Sequence, residues 1–197
     1  MLKSQTFITS LKQFLGDFEM EATSDRVQVY DGVDIIYSLV SEANHYSILI
    51  SERGIVSNFC TIEDTKFAQL YFAIFVKNAL ADIDLPLMPK IEGLTEEFET
   101  LLDLFKQEGL APYYSVDAVA VQRVNVYTAS KRLYYVDANG LEYDIAYLAN
   151  RFHQTFYSSV VNLKNRLEWL TEWVGYSDEF QKYEATLLGF SSEGIVK

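Results

Sequence analysis

Phe7, Ile8, Leu11, Phe14, Leu15 and Phe18 recur at helical spacing, which predicts an amphipathic helix over residues 4–19. The next stretch, VQVYDGVDIIYSLV, is rich in β-branched and aromatic residues and is interrupted by Asp31-Gly32, a two-residue hairpin signal. Residues 46–50 and 55–59 are apolar runs flanking Glu52-Arg53-Gly54, and they predict a second hairpin. Thr61-Ile62-Glu63-Asp64 has the Ser/Thr-x-x-acid pattern of a helix start. The following KFAQLYFAIFVKNAL has only a narrow polar stripe, Lys66, Gln69 and Lys77, so this helix needs cover on most of its sides.

Residues 82–93, DIDLPLMPKIEG, hold two of the three prolines and show no period, which reads as a connector. The order then starts again. EEFETLLDLFKQEG is an amphipathic helix with acids Glu96-Glu97 in its first turn and Gly109 as its stop. In DAVAVQRVNVYT, Val119 and Val121 have one parity and Val124 and Val126 the other, which predicts a strand with a bulge at Gln122-Arg123. Residues 132–138 and 141–145 flank Asn139-Gly140, the dipeptide suited to a type I′ turn. Leu141, Tyr143 and Ile145 then face one side and Glu142 and Asp144 the other. A long helix over 147–173 carries the stripe Phe152, Phe156, Val160, Leu163, Leu167, Leu170 and Val174. Residues 178–188 read as a short helix and SSEGIVK as a loose end.

YSILISERGIVSNF and RLYYVDANGLEYDI thus share one pattern, an apolar run, a polar pair, a glycine and a second apolar run. The expected architecture is α+β, with two similar modules of helix, antiparallel hairpins and helix. These span 1–85 and 94–176, joined by 86–93 and followed by a C-terminal helix and tail over 177–197. Each module alone leaves an apolar face uncovered, so the two are expected to pack as one body.

Charge narrows the partners. The chain has 16 Lys+Arg and 28 Asp+Glu, a formal net charge of -12, spread evenly along its length. Phosphate backbones and anionic membrane surfaces are repelled by such a field, so neither nucleic acid nor membrane is an expected partner. Such a charge ordinarily serves solubility, and the sharper reading is a surface matched to a basic partner. No apolar run has the ~18 residues of a membrane span, and a single cysteine, Cys60, permits no internal disulfide. A cytoplasmic setting is the expectation.

Catalytic signatures are sparse. His45 and His153 have no ligand-spaced partners, so no metal or other cofactor is expected, and both read as structural or surface residues. Cys60 lies between an apolar strand and a helix start with no histidine beside it, which reads as a buried, inert thiol. The nine glycines are scattered, and neither a phosphate loop nor a Gly-x-Ser-x-Gly elbow occurs. Glu142 and Asp144 share a strand face and are the best placed pair for acid–base chemistry, though such a pair more often marks a solvated face. The chain is not expected to be an enzyme. Tyr113-Tyr114, Tyr134-Tyr135 and Trp169/Trp173 are aromatics beyond the core stripes and suit protein interfaces.

The stretch ISERGIVSNFCTIEDTKFAQLYFAIFVKNAL, a strand, an Arg-Gly turn, a strand and an apolar helix, resembles the cores of small bacterial immunity proteins. These neutralise polymorphic or contact-dependent toxins, some of them NAD-degrading. The resemblance implies a cytosolic protein that fills the active-site cleft of a cognate antibacterial toxin, a cleft expected to be basic. On that reading the exposed acids and aromatics at hairpin tips bind the toxin: Asp137, Asn139, Glu142 and Asp144 first, then Glu52, Arg53, Tyr113 and Tyr114. The alternative is a regulatory domain that binds a small molecule or peptide between the halves.

Overall fold

Five consecutive strands, rich in β-branched and aromatic residues, build the first sheet: β1 (Met20–Ala22), β2 (Arg26–Asp31), β3 (Ile35–Ser41), β4 (Tyr46–Glu52) and β5 (Ile55–Ile62). The computed structural model describes residues 5–94, 98–173 and 178–196. The chain divides into two compact units. One comprises Met1–Asp82, Trp169–Phe180 and Ser192–Lys197, and the other Ile83–Glu168 and Gln181–Ser191.

In the first unit the sheet order follows the sequence and every pairing is antiparallel. Val27 pairs with Leu39, Leu39 with Ile48 and Ile48 with Cys60, a row of fully buried side chains across four strands. Helix α2 (Thr65–Leu80) packs on this sheet and buries Phe67, Leu70, Phe72, Ile74 and Val76. Between β4 and β5 the register shifts at Ile48/Leu49, and Phe59, the extra residue, stacks on Phe75 with centroids 4.5 Å apart. Helix α1 (Gln5–Leu15) buries Phe7, Leu11, Phe14 and Leu15, and the Phe7 and Phe14 rings meet Trp173 edge-on at 6.2 and 5.2 Å. Lys77, at one end of the expected polar stripe, donates from Nζ to the Phe14 carbonyl at 2.7 Å, satisfying an open end of α1.

The second unit holds α3 (Met88–Glu92), α4 (Phe98–Gln107) and a four-stranded sheet of β6 (Tyr114–Val116), β7 (Arg123–Tyr127), β8 (Arg132–Val136) and β9 (Glu142–Asp144), in sequence order. It also holds most of α5 (Phe152–Glu172), together with the short α6 (Glu184–Leu187). Phe105, Phe156, Tyr157 and Tyr114 form one aromatic cluster with centroids 5.1 to 5.7 Å apart. Val124, Val126, Leu133 and Tyr135 bury the same face of the sheet.

The protein is α+β, and several local expectations change. α1 stops at Leu15 because Gly16 adopts φ 85, so Phe18 lies outside the helix and is 40 % exposed. Asp31 pairs with Ile35, which makes the first hairpin loop three residues rather than two. Arg53-Gly54 is the expected two-residue turn, both residues having positive φ. Thr61 remains in β5, paired with Ser47 and bridged to Val196, so Asp64 is the N-cap of α2, accepting from Phe67 N at 2.8 Å. The tail is therefore tied to the sheet edge, where a loose end was expected. The connector contains α3, with Leu87 and Ile91 buried. Residues 178–183 form a 3-10 turn ahead of α6, and 3-10 residues 149–151 precede α5. Glu96-Glu97 and Val174 lie outside the described residues.

The largest difference concerns DAVAVQRVNVYT. β6 runs parallel to β7, Tyr114 opposite Val124, and residues 117–122 return the chain in place of a bulged strand. So short a return needs left-handed residues at both ends, Asp117 (φ 52) and Gln122 (φ 56). Buried Asn125 holds it from inside, taking the Ala120 N–H at 2.7 Å and donating to the carbonyls of Ala120 and Arg123. Val119 and Val121, freed from any strand, are more than half exposed. With one sheet of five antiparallel strands and the other of four with a parallel edge, repetition of one module is not confirmed. Among the described residues no helix is long and apolar enough to cross a membrane.

Removing the α2 cap tests the revised helix start: Asp64→Ala is expected to lower unfolding free energy by about 1 kcal/mol and Asp64→Asn by far less. Thr61→Ala is expected to show no loss of capping; urea unfolding of the three variants reads the difference.

Candidate functional site

Loop 137–141 joins β8 to β9, and its geometry decides what the outer face of the second sheet presents. The Asp137 carboxylate accepts the N–H groups of Asn139 and Leu141 at 2.8 and 2.9 Å, and its other oxygen accepts the Tyr143 hydroxyl at 3.2 Å. Only Gly140 of the Asn139-Gly140 pair has positive φ, so the loop is a five-residue turn closed by Asp137 and not the expected type I′ turn. Val136 consequently pairs with Glu142 and Tyr134 with Asp144. Glu142 and Asp144 therefore share a face with Tyr134 and, two residues along, Arg132.

Arg132 joins these acids. Its Nη1 lies 2.8 Å from Glu142 Oε2, and its Nη2 and Nε lie 2.8 and 2.9 Å from Asp144 Oδ1. The guanidinium lies over the Tyr134 ring, 4.4 Å from its centroid, and that ring stacks on Tyr127 at 5.7 Å. The hydrogen bonds it donates to Asp144 and then to Glu142 push the Arg132 guanidinium above its usual range and hold it charged. One cation bridges two carboxylates, so the cluster keeps an excess negative charge at the protein surface. Asp144 is the most open of the three, with 73 % of its side chain exposed.

Beneath this cluster Tyr134 is fully buried, and its hydroxyl has no hydrogen-bond partner among the described residues. Burial first, then the neighbouring Tyr127, pushes its phenol up to about 12. On the opposite face Tyr135 is equally buried, stacked on Phe190 at 4.4 Å and donating its hydroxyl to the buried Glu184, which also accepts from Gln122 Nε2 at 3.1 Å.

The residues expected at hairpin tips are thus sorted by their surroundings. Glu142, Asp144 and Asn139 are exposed on one hairpin. Asp137 belongs to the same hairpin but is 4 % exposed, with its carboxylate committed to the loop rather than to solvent. Glu52 and Arg53 are exposed at the β4–β5 turn of the first unit, where Arg53 N also donates to Asp34 O at 2.9 Å. Tyr114 packs edge-on against Phe105 and Phe156 in the core, and burial raises its phenol; Tyr113 is half-buried in the turn before it. Both lie at the β6 edge, with β7 and β8 between them and β9. Tyr134, Tyr135, Trp169 and Trp173 are core residues, not the surplus aromatics expected from the sequence.

Arg132 and the Tyr127–Tyr134 stack are the participants that sequence reading missed. The signal was available as the i, i+2 pair Arg132/Tyr134 facing an acid pair, but it depends on register. As chemistry, the fork is an exposed, ion-paired anionic surface. Cys60 is fully buried within the first unit's core row. His45 pairs with Glu42 at 2.8 Å, and His153 Nδ1 lies 3.3 Å from the Leu94 carbonyl. Among the described residues no group of three His, Cys, Asp or Glu is placed to hold a metal ion.

No family model matches the chain, and neither a curated protein nor a solved structure is significantly similar to it.

The unpartnered phenol gives a signed test. Tyr134→Phe is expected to stabilise the protein by about 1 kcal/mol at neutral pH, because an unsatisfied buried hydroxyl is removed. With the phenol raised to about 12, the folded state resists ionisation more than the unfolded chain does, so this group leaves stability independent of pH below 10, the unfolded value, and lowers it as pH rises from there to about 12. Alkaline unfolding is therefore expected to be shallower across that window in Tyr134→Phe than in the parent.

Proposed function

We propose that the protein is a cytosolic immunity protein that binds a cognate antibacterial toxin and occludes its active site. The observation that carries this reading is the Arg132-clamped pair Glu142 and Asp144, an exposed anionic fork on the outer face of a short edge hairpin. Arg132 restrains both side chains before any partner arrives, so binding costs less side-chain entropy. An edge hairpin can enter a concave site, and the carboxylates on its face can pair with the lysines or arginines that hold an anionic substrate. The net charge of -12 supports the same partner chemistry by steering a basic protein toward this surface.

Asn139 adds an exposed amide beside the fork, and Glu52 with Arg53 form a second exposed tip in the first unit. Asp137 serves this function indirectly, by setting the shape of the loop that carries Asn139.

The test pairs the protein with the toxin encoded beside its gene. Expression of the chain is expected to protect cells from that toxin, and the purified chain to inhibit it in a stoichiometric complex. Glu142→Lys with Asp144→Lys is expected to slow association about tenfold or more, with the thermal midpoint little changed and the salt dependence of binding reduced. A parent chain that neither protects nor binds would sink the proposal, as would a charge-reversed variant that binds as the parent does.

A further inference from the structure

Separate from the exposed fork, a cleft of ≈ 510 Å³ lies within the second unit, between α3 and the start of α5. Its volume falls in the ~300–1,000 Å³ range of small-ligand sites. One wall carries Asn150 and Arg151, from the 3-10 turn that leads into α5, and Gln154, which stands over Asn150 one helical turn on. The other wall carries Met88 and Glu92, the first and last residues of α3.

Two opposite charges therefore line one cleft without pairing. Neither the Arg151 guanidinium nor the Glu92 carboxylate has an ion pair or a side-chain hydrogen bond among the described residues, and both side chains are exposed, so both charges are open to a ligand. α5 has no acid in its first turn, so nothing there offsets Arg151 either. The Asn150 and Gln154 amides are likewise without a partner among the described residues, and an amide can donate to an anion or accept from a cation. Met88 supplies an apolar surface beside them.

We infer that this cleft binds a small zwitterion, its carboxylate received by Arg151 with the neighbouring amides, its ammonium by Glu92, and an apolar side chain by Met88. The planar guanidinium fork matches a carboxylate. The net charge of -12 decides against a bare anion, because that field opposes any ligand that adds negative charge, a phosphate dianion most of all, and spares one that is neutral overall. A bare cation would leave Arg151 uncompensated and repelling it. A carboxylate and an ammonium on one small molecule are the chemistry of a free amino acid, or of a short peptide with both termini open. This inference does not depend on the immunity reading.

The full-length protein is titrated by calorimetry with leucine, leucyl-leucine, N-acetylleucine, leucinamide and inorganic phosphate, while the Gln154 side-chain amide resonance is followed by NMR. Saturable binding of leucine with a shift at Gln154 is expected, and N-acetylleucine and leucinamide, each lacking one charge, should bind at least tenfold more weakly. Saturation by leucyl-leucine but not by leucine supports a short peptide as the ligand. Arg151→Gln and Glu92→Gln should each weaken binding of the zwitterion at least tenfold, and the thermal midpoint should stay unmoved because both side chains are exposed. Four results would overturn the inference: no saturation by leucine or leucyl-leucine, binding of phosphate alone, a singly charged analogue binding as tightly as the zwitterion, or either variant binding as the parent does.

Discussion

Asp137 accepts the N–H groups of Asn139 and Leu141, and the length of the loop it closes fixes which residues of β9 face which residues of β8. A two-residue turn at Asn139-Gly140 would pair Ala138 with Leu141 and carry Glu142 and Asp144 to the face of Leu133 and Tyr135. In the five-residue loop they lie instead with Arg132 and Tyr134, and Tyr143 joins Tyr135 on the core side. A single step of register separates an anionic fork at the surface from two carboxylates driven into an aromatic core. The exposed cluster, its guanidinium clamp and the tyrosine stack all rest on that step.

The second unit repeatedly uses a buried polar side chain to shape irregular backbone. Asn125 holds the return between β6 and β7, Asp137 holds the β8–β9 loop, and Glu184 receives Tyr135 and Gln122 near the C-terminal segment. Each is at most 4 % exposed and has two or more hydrogen-bond partners within the unit, so the cost of burying it is offset locally. Tyr134 is the contrast, a buried hydroxyl without a partner under the exposed cluster.

Regular elements with strong periodicity were legible from residue order. The apolar faces of α1 and α2, the β-branched and aromatic runs of β2 to β4, the Arg53-Gly54 turn and most of the α5 stripe follow from residue types and spacing that local geometry alone enforces. The irregular pieces were not. Nothing local in DAVAVQRVNVYT says that Asn125 will fold back to Ala120, because that contact is worth making only once β6 is present as a parallel neighbour. Thr61 has the residue pattern of a cap, yet pairing with Ser47 and Val196 keeps it in a strand and leaves capping to Asp64. Of the expected site residues, Glu142, Asp144 and Asn139 do share one exposed hairpin, whereas Asp137 and Tyr114 were assigned to the surface from residue type, and Asp137 is buried while Tyr114 is half-buried with its ring against Phe105 and Phe156.

Sequence by itself determined the α+β class, the acidic field and the placement of an acid pair on one side of a short strand. These depend on composition and on the periods of helix and strand, which every stretch of chain carries within itself. Tertiary structure alone decided the parallel edge, the register that brings Arg132 to Glu142 and Asp144, and the placing of Glu92 and Arg151 in one cleft. Those outcomes depend on which distant groups compete for the same backbone and side-chain partners, and that competition is settled only when the chain has packed.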